Sequence, residues 1–115
     1  MYQIIFNDTS AAELKELPLA LQLQILNEFN ALPQDLQNVD PEKFGKLERN
    51  GRKLLRYRTK EYRIYLEVVE GGLRVHRVMH KNTLKEFFYR MKLTSGEDET
   101  LQTSPEFWAM IDRKS

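Results

Sequence analysis

The chain has 115 residues and a mass of 13.7 kDa, enough for one domain whose core hides roughly two-thirds of the unfolded surface. Apolar residues make up 41% and charged residues 30%, with a net charge of +1 and no cysteine, which excludes a disordered chain, a disulfide scaffold, a thiolate nucleophile and any Cys-ligated zinc or iron–sulfur site. No apolar run approaches the ~20 residues of a membrane span and the first residues lack a signal-peptide layout, so a cytoplasmic protein without membrane contact is expected, and with His76 and His80 as the sole imidazoles no metal site and no cofactor.

Residues 2–6, Tyr-Gln-Ile-Ile-Phe, read as a short strand. Ser10 and Glu13 have capping-box spacing and predict a first helix over about 10–17. Pro18 ends it and suits the first turn of a second helix, about 18–31, with Leu21, Ile25, Leu26, Phe29 and Leu32 on one face. Residues 33–50, with two prolines, one glycine and few apolar residues, read as a loop with Phe44 and Leu47 tucked inward.

The period then changes. Residues 53–58 and 62–70 alternate as strands around a turn at Thr59-Lys60-Glu61. Gly71-Gly72 is a hairpin signal, and 73–79 a third strand of this group. A helix follows over about 83–92, with Leu84, Phe87, Phe88 and Met91 as its apolar stripe. Residues 94–103 read as flexible. Ser104-Pro105-Glu106 opens a short amphipathic helix, about 105–113, bearing Phe107, Trp108, Met110 and Ile111. The order β-α-α-β-β-β-α predicts an α+β fold, a twisted and mainly antiparallel sheet with helices packed on one face. The domain expected is 1–93, followed by an acidic tail, 94–115.

Charge is segregated along the chain. Residues 1–45 sum to −5, 46–92 to +9 and 93–115 to −3. A basic segment of this size draws polyanions, although a solvated basic face is the ordinary alternative. Parity places its arginines. With a two-residue loop after Arg58, Thr59 pairs with Tyr62, Arg58 with Arg63 and Arg56 with Tyr65. Paired residues share a face, so Arg56, Arg58, Arg63 and Tyr65 lie together, opposite Leu55, Tyr57, Ile64, Leu66 and Val68. Arg58 against Arg63 is a like-charge pair that destabilises the empty sheet. Either a neighbouring carboxylate neutralises it or an anion lies across it, and a guanidinium fork suits phosphate.

Four stretches carry a further signal: Leu55-Arg56-Tyr57-Arg58-Thr59-Lys60-Glu61-Tyr62-Arg63-Ile64-Tyr65, Val75-His76-Arg77-Val78-Met79-His80-Lys81, Tyr89-Arg90, and Phe44-Gly45-Lys46-Leu47. In order and spacing, over about residues 2–92, they resemble the RelE/ParE superfamily of bacterial type II toxins. RelE-like members cut mRNA in the ribosomal A site, whereas ParE-like members bind DNA gyrase without cleaving RNA. The resemblance favours the RelE-like branch, and a ParE-like binder or an inactive member that keeps only antitoxin binding are the alternatives.

The resemblance implies roles for particular residues. Metal-free RNA cleavage needs proton removal from the 2′-hydroxyl, stabilisation of the phosphorane and protonation of the leaving 5′-oxygen. Arg63 matches the family's phosphate-stabilising arginine, and Arg58 adds a phosphate contact. Arg56 stands where RelE-like enzymes often carry a basic residue proposed as general base; arginine is a poor base, so this is a departure. Lys81 matches the position near the leaving group, with His80 beside it as the better proton shuttle. Tyr89 stacks the displaced base, at a spacing one helical turn longer than the RelE-like one, so Phe88 or Phe87 are substitutes. Lys85 and Arg90 touch RNA backbone, and Tyr65 either meets RNA or stacks under Arg56. Plainer roles compete: a helix cap for His80, a structural place for His76, packing for Tyr89, Phe87 and Phe88. The partners implied are a cognate acidic antitoxin that folds on binding into a hetero-oligomer, the ribosome and mRNA. The acidic tail is then a lid over the basic face, an extra packing helix or an oligomer contact.

Overall fold

The computed structural model describes residues 3–32, 39–94 and 96–113. Tyr2 of the expected first strand and residues 33–38 of the expected loop lie outside them. In chain order the elements are β1 (Gln3–Phe6), α1 (Asp8–Lys15), α2 (Leu19–Asn30), β2 (Phe44–Arg49), β3 (Arg52–Arg58), β4 (Tyr62–Val69), β5 (Gly72–His80), α3 (Lys81–Arg90), α4 (Glu97–Gln102) and α5 (Pro105–Asp112). One five-stranded sheet runs in the order β1-β5-β4-β3-β2. The β1–β5 pair is parallel and the rest antiparallel. The fold is mixed α+β with a mostly antiparallel sheet.

Three features differ from the sequence reading. First, Phe44–Arg49, expected within a loop, is the edge strand β2. It turns into β3 through Asn50 and Gly51, both with positive φ (54° and 81°). Asn-Gly is the preferred pair where both central turn residues must be left-handed. Phe44 and Leu47 are buried, on opposite faces of the sheet.

Second, helices cover both faces rather than one. On the first face α1 and α2 lay Leu14, Ile25 and Phe29 over Leu55, Tyr57, Ile64, Leu66 and Val75. Phe29 meets Tyr57 edge-on at 5.3 Å between ring centroids. The second face carries Leu47, Leu54, Tyr65 and Met79, which water would not tolerate as a bare patch. Leu84 and Phe87 of α3 cover part of it, and Leu101, Phe107, Trp108 and Ile111 of α4 and α5 cover the rest. Each of these four is worth roughly 1.5–3 kcal/mol on burial. Third, residues 97–102, expected to be flexible, form α4, whose buried residue Leu101 joins that core.

The start of α1 also shifts. Asn7, not Ser10, is its N-cap: Asn7 Oδ1 accepts from the Ser10 N–H at 2.7 Å, and Ser10 Oγ accepts from the Asn7 N–H at 3.1 Å. Glu13, the expected box partner, is used elsewhere. β1 stops at Phe6, and α1 side chains continue the ladder along β5. Ser10 Oγ donates to the Val75 carbonyl at 2.8 Å and Glu13 Oε1 accepts from the Val78 N–H at 2.8 Å. The edge that β1 leaves open is thereby closed by side chains.

Candidate nucleic-acid interface

The β3–β4 register is the one parity requires. Arg58 pairs with Arg63 and Arg56 with Tyr65, and the Thr59 N–H donates to the Tyr62 carbonyl. Arg56, Arg58 and Arg63 therefore share the second face. What neutralises them comes from the C-terminal segment. Arg56, only 3% exposed, donates through Nε and Nη2 to the two oxygens of Asp98, at 3.2 and 2.8 Å. Its Nη1 reaches the Glu42 and Lys43 carbonyls. Arg63 donates through Nε to Glu97 at 3.0 Å and through Nη1 to the Thr59 and Tyr62 carbonyls at 2.9 and 3.1 Å. Arg58 is exposed and makes no ion pair among the described residues.

Gly45 of β2 lies opposite Arg56 and makes room for this arrangement. A Cβ there would run into the Arg56 guanidinium and come within 2.6 Å of the Asp98 carboxylate. A third pair anchors the end of the segment. Arg52 binds Asp112, lies 5.5 Å from the Trp108 ring centroid and reaches Glu67 at 3.4 Å. Burial lowers the Arg52 pKa, but the hydrogen bonds and charges of Asp112 and Glu67 outweigh it and the net shift is upward. Glu67 also meets His76 Nε2 at 2.9 Å, so the buried His76 has a structural place.

Tyr65 sits at the centre of this face with no exposure. Its ring meets Phe107 edge-on at 5.0 Å, and its hydroxyl finds no hydrogen-bond partner among the described residues. Burial, with Glu97 and Asp98 adding to it, pushes the hydroxyl pKa far up. RNA cannot reach Arg56 unless α4 moves, and Phe107 of α5 keeps Tyr65 out of reach, so the expected RNA contact of Tyr65 is replaced by a place in the core.

The remaining expected residues lie at the end of the sheet and along α3. His80 is the N-cap of α3, its Nδ1 accepting from the Asn82 N–H at 3.0 Å. Its Nε2 lies 3.4 Å from Glu61, and its ring meets Tyr62 edge-on. His80 pairs with Tyr62, and Arg63 with Met79. Successive strand residues point to opposite faces, so His80 leaves the sheet on the side away from Arg58 and Arg63. The arrangement of a histidine directly beside the arginines is thus not formed. Lys81 Nζ is also 3.4 Å from Glu61. Lys81, Lys85 and Tyr89 recur every fourth residue and form one stripe on α3. Tyr89 is 87% exposed, free to stack on a base. Phe88 is half-buried against the second core and Phe87 is buried in it. Arg90 is exposed and lines a cleft of about 450 Å³ with Arg77, Met79, Phe87, Met110 and Arg113.

Among the described residues no helix is long and apolar enough to cross a membrane, and no group of three His, Asp or Glu is placed to hold a metal ion. No protein-family model and no curated protein matches the chain. Solved structures do resemble it, two of them as follows. One is the toxin–antitoxin complex RelBE2 from Mycobacterium tuberculosis, at 20% identity and a TM-score of 0.51, covering 69% of this chain and 90% of that chain. The other is the RelB–RelE antitoxin–toxin complex from Methanococcus jannaschii, at 22% identity and a TM-score of 0.53, covering 73% and 98%. The likeness is one of fold. Between a quarter and a third of this chain falls outside each comparison.

Proposed function

We propose that the chain is the toxin member of a type II toxin–antitoxin pair and that it acts on ribosome-bound mRNA. The observation that carries this reading is the grouping of Arg56, Arg58 and Arg63 on one sheet face, in a fold shared with components of RelB–RelE complexes. It also favours the toxin role over the antitoxin role. An acidic antitoxin segment covers a basic surface, and the 46–92 surface of this chain is what such a segment would cover.

In the reaction proposed, the ribose 2′-oxygen attacks the adjacent phosphorus, its proton leaves, and the departing 5′-oxygen is protonated. The product ends are a 2′,3′-cyclic phosphate and a 5′-hydroxyl. Arg63 and Arg58 hold the charge that develops on the phosphorane. Arg56 stays protonated and contributes charge, not base catalysis. Lys81 stands near the leaving oxygen. His80, on the other side of the sheet from Arg58 and Arg63, caps α3 and takes no proton in this step, and water accepts the 2′-proton. Tyr89 stacks the displaced base, and Lys85 and Arg90 meet the RNA backbone.

The test is induced expression in a bacterial host with labelled methionine incorporation as the readout. Protein synthesis should stop, and Arg63→Ala should restore it, since losing one transition-state charge contact costs about 10²–10³-fold in rate. Unchanged arrest with Arg63→Ala would contradict the assignment.

A second reading is a non-catalytic, ParE-like binder of gyrase. The ion pairing of Arg56 and Arg63 and the placement of His80 on the other side of the sheet favour it. Arrest that spares protein synthesis and relaxes plasmid supercoils would support this reading.

A further inference from the structure

The charges of Arg56 and Arg63 are already satisfied, by carboxylates of the chain itself. We infer that α4 is a built-in acidic cover, whose Glu97 and Asp98 carboxylates stand in for two RNA phosphates and exchange with them when RNA binds. The inference rests on the reading of this face as RNA-directed.

The two C-terminal helices differ in how they are held. α5 has a Ser104 cap bonded to the Phe107 N–H, Pro105 in its first turn, and three buried anchors in Phe107, Trp108 and Ile111. α4 has six residues, one buried side chain, Leu101, and no side-chain cap. Its N-cap is Gly96, in a left-handed conformation (φ 97°) that a side chain resists. Beyond Leu101, its contacts include the Arg56 and Arg63 pairs, Gln102 Oε1, which accepts from the Glu48 N–H at 2.9 Å on the outer edge of β2, and at its C-terminal end the Gln102 carbonyl, which accepts from Trp108 Nε1 at 3.0 Å and hinges α4 to α5. α5 is therefore the anchor and α4 the part that can lift.

Arg56 gives the exchange its geometry. When α4 lifts, both sites that Asp98 occupies on its guanidinium become open to another oxyanion. A phosphate offers the same pair of oxygens to the guanidinium fork as the carboxylate does. Gly45 admits this geometry because it has no side chain to crowd the pair.

The experiment is equilibrium binding of a fluorescently labelled single-stranded RNA to the full chain, read by anisotropy over a salt series. It requires no cleavage. The double variant Glu97→Gln/Asp98→Asn should bind roughly tenfold or more tightly than the wild type, and its log K against log salt slope should steepen by about 0.7 per arginine released. Adding Arg63→Ala to that variant should remove most of the gain. A variant with the same charge change elsewhere, Glu16→Gln/Glu70→Gln, should show a much smaller gain. Hydrogen exchange with RNA present should deprotect 97–102 and leave 105–112 protected. Equal gains in the two charge variants would overturn the inference by assigning the effect to net charge alone. Unchanged binding in Glu97→Gln/Asp98→Asn would also overturn it, as would a preference for poly-glutamate over RNA. If binding behaves as expected and ribosome-bound mRNA stays intact, the cover stands and the nuclease reading fails.

Discussion

Arg58 opposite Arg63 is a local conflict that the rest of the chain resolves. Its place was legible, because the alternation of Leu55, Tyr57, Ile64 and Leu66 with the arginines decides which residues share a face. The partners of the neighbouring arginines were not, since Asp98 and Glu97 lie 42 and 34 residues away in sequence and no local pattern ties them to Arg56 and Arg63. Tyr65 gives a test at the same scale. Its buried hydroxyl has no partner among the described residues, so Tyr65→Phe should raise stability by about 1 kcal/mol in a urea titration. A loss of more than that would mean the hydroxyl has a partner in solution. Ionisation gives another. Burial raises the pKa of Tyr65, and burial with the Glu28 charge raises that of Tyr57. Both folded values exceed the unfolded value near 10. Their contribution to stability is therefore complete below about pH 10 and lost as pH rises above it. Phenolate absorbance should show two of the five tyrosines ionising only as the circular dichroism signal collapses; all five ionising together in a folded protein would contradict this.

At the scale of elements, the strongly periodic segments were readable. α2, β3, β4, β5 and α3 follow from apolar spacing, with ends that shift by a residue or two. β2 was missed because residues 33–50 carry two prolines and few apolar residues, although Asn50-Gly51 carried the hairpin signal. α4 was missed because six residues with one apolar anchor show no period; tertiary docking of Leu101 creates it. The cover on the second face could be suspected from Phe107 and Trp108 but not placed. Its weight is testable. Phe107 is fully buried against Tyr65, and Phe107→Ala should cost about 3–5 kcal/mol by chemical denaturation. A cost under about 1 kcal/mol would mean that α5 does not form part of the core. At the other end of the chain, Asn7→Ala should cost about 1 kcal/mol through loss of the α1 capping box.

Across the whole molecule, the segregated charge becomes an architecture. The basic 46–92 segment supplies β3, β4, β5 and α3, and acidic residues on both sides of it in sequence fold back onto it. Glu13 of α1 binds Arg77, while Glu97, Asp98 and Asp112 bind Arg63, Arg56 and Arg52. Arg58, Lys85 and Arg90 remain exposed beyond that cover. This pattern supports a polyanion-directed protein that keeps part of its binding face neutral until the polyanion arrives.

The most direct measurement is mapping of mRNA 5′ ends in a cell-free translation reaction with the purified protein and with Arg63→Ala. The account predicts cuts at A-site codons that require ribosomes and disappear in the variant. Intact mRNA with protein synthesis undiminished, or cuts that persist in the variant, would contradict it.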